Sequence, residues 1–245
     1  MMYNYNVAPQ VRRRRSNPLP GIIVLLLLAG GIVFFVHRVQ TGNVITIDSG
    51  TTLFVNDCVG YVRVHPNATG NQVILQGLGS TFTSSHRAQD SDTMIIDGCD
   101  LDMTVPASVN LNITADDIEV FGVSGQMNLS TNGGPIVLVQ DTLKGASKLD
   151  NNGGPIVFQG SLDSSANATF SSNGGNVNIS LPTDAAFHLK TSGILATITT
   201  NIPAVASAVS NPNPNTDELD VVVGGAPQAT LTLDLNDTPV ILHRG

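Results

Sequence analysis

Short apolar runs recur along the second half of the chain, each closed by a Gly-rich turn. Asn132-Gly133-Gly134-Pro135-Ile136-Val137 returns letter for letter as Asn152-Gly153-Gly154-Pro155-Ile156-Val157, a shift of 20 residues. A third copy, Asn173-Gly174-Gly175-Asn176-Val177, follows 21 residues later. Each turn leads into alternating aliphatics at Ile136–Val139, Ile156–Phe158 and Val177–Leu181. Further runs lie midway, at Met127–Leu129, before Leu149 and at Ala168–Phe170. Alternation over four to six residues is the period of a half-buried strand. Each unit of about 20 residues therefore predicts two strands and two turns.

Such a unit cannot bury its own apolar face, whereas stacked units can. The pattern predicts an all-β fold: a single-stack parallel β-solenoid, or β-helix, of ~20-residue repeats. Antiparallel hairpins are the competing reading, because Asn-Gly is also the favoured two-residue hairpin turn. In the stacked reading Asn132, Asn152 and Asn173 form a ladder at one corner. Gly133, Gly153 and Gly174 supply the positive φ of a sharp turn. Irregular strands before residue 105 and after residue 218 are expected to cap the stack.

The first forty residues break the pattern. Leu19–Val36 carries no charge, and as a helix its eighteen residues reach about 27 Å, near the thickness of a bilayer core. This predicts one N-terminal transmembrane helix ahead of the β domain. Arg12, Arg13, Arg14 and Arg15 precede it, which places the N-terminus in the cytoplasm. The expected organisation is a short basic cytoplasmic tail at 1–18, the membrane helix at 19–36, a linker and first strand at 37–49, and the β domain at 50–245. Beyond residue 40, six cations face all 19 acids, a net charge of −13. That balance argues against nucleic acid as a partner and fits an exported domain.

The layout Val105-Pro106, Leu111-Asn112-Ile113, Ile118-Glu119-Val120, then Leu129-Ser130-Thr131-Asn132-Gly133 before Ile136 resembles the bacterial putative adhesin family. The likeness spans about residues 50–245. It implies a β-solenoid behind an export signal or membrane anchor, with an adhesin-like role at the cell surface. The segment Ala229–Leu233 followed by Val240-Ile241-Leu242 looks like that family's final repeat, with Thr238-Pro239 where Asn-Gly is usual.

Candidate chemistry is sparse. Cys58 and Cys99 suggest a disulfide in an exported domain, with two buried thiols as the alternative. Asp100 and Asp102, on one predicted strand face within an Asp-rich stretch, could offer oxygens to calcium. The spacing lacks an EF-hand's closing Glu, so a solvated acidic loop and no cofactor is the simpler expectation. Histidines are isolated from other catalytic residue types, and the adjacent Ser85 and His86 would point to opposite faces of a strand, which predicts no catalytic residues. The expected function is non-enzymatic binding of a cell-wall polymer or surface protein, with the membrane engaged through 19–36. The alternatives are a glycan-active enzyme using the clustered Asp residues and an envelope-state sensor with a cytoplasmic partner.

Overall fold

The computed structural model describes residues 43–48, 50–67, 70–77, 84–87, 92–210 and 218–245, without the side chains of 43, 57, 58, 77, 84–87 and 194–196. The strands are β1 (Asn43–Thr46), β2 (Thr52–Asn67), β3 (Gln72–Gly77), β4 (Ser84–Arg87), β5 (Thr93–Asp97), β6 (Leu101–Pro106), β7 (Asn110–Phe121) and β8 (Ser124–Gly125). They continue as β9 (Met127–Thr131), β10 (Ile136–Leu143), β11 (Lys148–Asn151), β12 (Ile156–Leu162), β13 (Asn167–Asn173) and β14 (Val177–Leu181). The chain then forms β15 (Phe187–Thr200), a helix α1 (Pro203–Ser210), β16 (Asp220–Val223) and β17 (Ala229–Arg244).

Two walls face one another. One contains β9, β11 and β13, paired in parallel so that Leu129, Leu149 and Phe170 stand side by side. The other contains β10, β12 and β14, with Ile136, Ile156 and Val177 in register. Inward side chains alternate along every strand, and these columns are fully buried. Phe158 and Phe170 meet across the interior, their ring centroids 5.7 Å apart and tilted by 57°.

The open solenoid is corrected here. Strand β7 pairs with β9 through Leu111–Thr114 and with β10 through Ile118–Phe121. At the other end β17 pairs with β13 through Thr230–Asn236 and with β14 through Val240–Arg244. The ladder therefore runs β7-β9-β11-β13-β17-β14-β12-β10 and returns to β7, a closed barrel of eight parallel strands. A 20-residue repeat is common to an open stack and to this ring. Closure depends on two long strands that turn a corner without losing their pairing, which spacing does not encode.

Chain order also departs from a simple stack. β17 lies between β13/β14 and β15, pairing with both sides. β2 likewise lies between β7 and the pair β5/β6. Short antiparallel strands then cover the edges: β3 on β6, β4 on β5 and β16 on β15. Helix α1 packs on β15 and β16 and buries Val205. Pro203 opens it, where a missing N–H costs nothing.

The transmembrane helix expected at 19–36 falls on residues that the structure does not describe. Among the described residues no helix is long and apolar enough to cross a membrane. Arg12–Arg15 also lie outside the described residues.

Candidate functional site: a polar wall beside an asparagine ladder

The repeated turn divides its work between two glycines. Gly133, Gly153 and Gly174 have φ of +107°, +106° and +85°, with open space where a Cβ would sit. The second glycines, Gly134, Gly154 and Gly175, lie tight against the turn before: a Cβ on Gly154 would overlap the Gly134 carbonyl oxygen, and one on Gly175 the Gly154 oxygen. Positive φ makes the corner sharp; the missing Cβ lets successive corners stack.

Stacked corners bring the preceding asparagines into line. Asn152 Nδ2 donates to Asn132 Oδ1 at 3.1 Å, and Asn173 Nδ2 to Asn152 Oδ1 at 3.0 Å. Asn236 Nδ2 donates to Asn173 Oδ1 at 2.8 Å, so the ladder has a fourth member from β17. Behind it, Thr131, Asn151, Ser172 and Thr238 form a buried polar layer. Thr131 Oγ1 and Asn151 Nδ2 both donate to the Gly134 carbonyl, at 2.9 and 2.7 Å, and the Gly154 amide donates to Asn151 Oδ1 at 2.8 Å. Thr238 Oγ1 donates to the Ser172 carbonyl at 3.2 Å. Buried polar groups are thus satisfied within the corner, as burial requires.

Outward side chains on the same wall form two columns. Ser130, Asp150, Ser171, Asp234 and Ser192 stand opposite one another on successive strands, ~4.8 Å apart. Beside them run Asn112, Asn128, Lys148, Thr169, Thr232 and Lys190. Lys148 Nζ reaches Asp150 at 2.7 Å, and Ser192 Oγ donates to Asp234 at 3.1 Å. His188 pairs with Asp220 at the edge of this wall. Two shallow depressions flank the ladder. One, of about 570 Å³, is lined by Asp150, Ser171, Asn173, Asp234 and Asn236 among others. The second, of about 400 Å³, is lined by Thr114, Asp116, Ser130, Asn132 and again Asp150 and Asn152. Asp150 and Asn152 line both, so the two depressions adjoin.

The other residues singled out in the sequence do not join this wall. Asp100 lies in the turn before β6 with φ +52°, and its Oδ1 accepts from the Tyr61 amide at 3.5 Å. Asp102 projects from β6 to 3.7 Å from His65 Nε2. The two carboxylates thus serve different neighbours. Among the described residues no group of three His, Cys, Asp or Glu could hold a metal ion. Cys99 is half-buried, while the Cys58 side chain, and with it the expected disulfide, lies outside the described residues.

Sequence reasoning missed Asn236, Asp234 and Asp141. The signal for the first two was present: Ala168–Asn173 and Leu231–Asn236 are alternating runs that both end in asparagine. Asp141 gave none. It follows a bulge at Gln140, whose φ is +62°, and points inward where its neighbours place leucine. The residue is 1% exposed; Oδ1 accepts from the Val123 amide at 2.6 Å, while Oδ2 has no partner among the described residues. Burial pushes its pKa up to about 7, against the pull of the Val123 and Val139 amides.

No protein-family model matches the chain, so the family likeness rests on the residues that carry it. No curated protein matches it either. Among solved structures, a putative cell adhesion protein from Clostridium sporogenes ATCC 15579 is similar at 8% identity. The match covers 83% of this chain and 98% of that one, with a TM-score of 0.41.

Proposed function

We propose that this protein is a non-enzymatic, adhesin-like binding module that holds a cell-wall polymer along its polar wall. The observation that carries the reading is the pair of outward Ser/Thr/Asn/Asp/Lys columns, continuous across five strands and bordered by the two adjoining depressions. A single exposed hydrogen bond contributes only about 0.5–1.5 kcal/mol. A shallow wall of such groups therefore holds a partner only by engaging many of them together, which suits an extended polyhydroxylated chain better than a small molecule. The apolar stretch 19–36 and the basic run Arg12–Arg15 support a position at a cell membrane with the β domain on the outer side.

The test is a screen of the full-length chain, in detergent, against immobilised glycans and cell-wall polymers. Retention that weakens several-fold in an Asp150→Ala/Asp234→Ala double variant supports the reading. Chain shortening of any polysaccharide would replace it with an enzyme, and retention only by a surface protein would replace the ligand class.

A further inference from the structure

The chain presents three Asn-Gly pairs in nearly the same sequence context, and two of them, at 132 and 152, are identical for six residues. Asn-Gly is the pair most prone to spontaneous deamidation, because a glycine amide can approach the asparagine side chain without a Cβ in the way. The fold treats the three pairs differently. Asn173 has its Oδ1 held by Asn236 and its Nδ2 by Asn152. The amide of Gly174, which would be the nucleophile, already donates to the Asn236 carbonyl at 3.0 Å and lies 3.3 Å from Thr238 Oγ1. Asn152 is held at both ends of its side chain by Asn132 and Asn173, but the Gly153 amide donates to no protein atom among the described residues. Asn132 ends the ladder. It is exposed, it accepts from Asn152, and its Nδ2 donates to no protein atom among the described residues; the Gly133 amide is equally free.

We infer that Asn132 is a built-in deamidation site, and that the ladder protects Asn152 and, more strongly, Asn173. The Gly133 backbone nitrogen, once hydroxide has taken its proton, bonds to Asn132 Cγ. The Cγ–Nδ2 bond breaks and the side-chain nitrogen leaves as ammonia, protonated by water. Water then opens the five-membered imide at either carbonyl, breaking one C–N bond and leaving aspartate or isoaspartate. Ladder bonds oppose the first step in two ways: they restrain the side-chain rotation that attack on Cγ requires, and they tie the leaving nitrogen to a neighbour. The product has a consequence for the wall. Asn132 lines the same depression as Asp116 and Asp150, so conversion adds a third carboxylate there. The isoaspartate form also lengthens the backbone at a corner that must stack on the next.

Site-resolved mass mapping tests this. The full-length protein is aged in mildly alkaline buffer, folded in one arm and in strong denaturant in the other. In the folded arm Asn132 converts several-fold faster than Asn152, and Asn173 is slowest. In denaturant Asn132 and Asn152, which are followed by the same five residues, converge to nearly one rate. An Asn132→Asp variant supplies the chromatographic standard for the product. Equal or faster loss at Asn152 or Asn173 in the folded arm overturns the inference. So does the same ranking in denaturant, or a folded protein in which none of the three converts.

Discussion

Single residues decide how tightly one rung of this barrel sits on the next. The two glycines of each turn are adjacent in sequence yet answer to different forces, so their alanine variants should differ. Gly153→Ala meets open space but must hold φ of +106°, and a cost of about 1–2 kcal/mol is expected. Gly154→Ala drives a methyl into the Gly134 carbonyl and forces two turns apart. Its expected cost is larger, about 3 kcal/mol or more, with a visible loss in urea midpoint. Equal midpoints would contradict this division of labour between the two glycines. Asp141 makes the second residue-scale prediction. Its folded pKa lies above the ordinary carboxylate value, so the folded chain holds the proton more tightly than the unfolded chain. Stability should therefore fall as pH rises from about 4 through 7, and level off above, by an amount on the order of a few kcal/mol. Asp141→Asn keeps an acceptor for the Val123 amide without the charge. Thermal melts across that range should show the variant with a flatter profile and a higher midpoint at pH 8 than the parent.

At the scale of elements, β17 carries more of the architecture than its position at the chain end suggests. It pairs with β13 and β14 on one side and β15 on the other, and places Leu231, Leu233, Leu235, Val240 and Leu242 in the core. Removing residues 229–245 would strip partners from three strands and open the ring. The expected result is loss of cooperative unfolding and rapid proteolysis, read by calorimetry and limited digestion. An open stack would behave otherwise, since losing a terminal coil leaves a shorter stack that still folds. A cooperative, protease-resistant truncation would thus contradict closure by β17. Phe170, packed against Phe158 in the middle of the walls, tests the interior in the same way. Phe170→Ala should cost about 3–5 kcal/mol and lower the melting temperature accordingly.

For the whole molecule, nearly every pairing joins residues about 20 apart or much further, such as Leu53 with Leu111 and Ala168 with Leu231. Distant pairing makes loop closure costly before contacts form, so slow folding is expected, in the range of milliseconds to seconds or beyond. The strand directions, the rung spacing of the middle repeats and the asparagine corner were legible in the chain itself. Alternation of apolar and polar residues fixes which side chains face inward, and an Asn-Gly-Gly turn recurring after 20 and then 21 residues fixes where strands begin. Those are local properties, governed by backbone conformation and side-chain polarity within one unit. What only the tertiary structure decided was non-local. The insertion of β17 beside β13, the ring closed through β7 and β17, the fourth ladder asparagine and the inward Asp141 depend on which distant segment supplies the next row of hydrogen-bonding partners. Any alternating strand presents much the same N–H and C=O groups to a neighbour, so the sequence leaves that choice open, and burial of the complete set of apolar columns makes it.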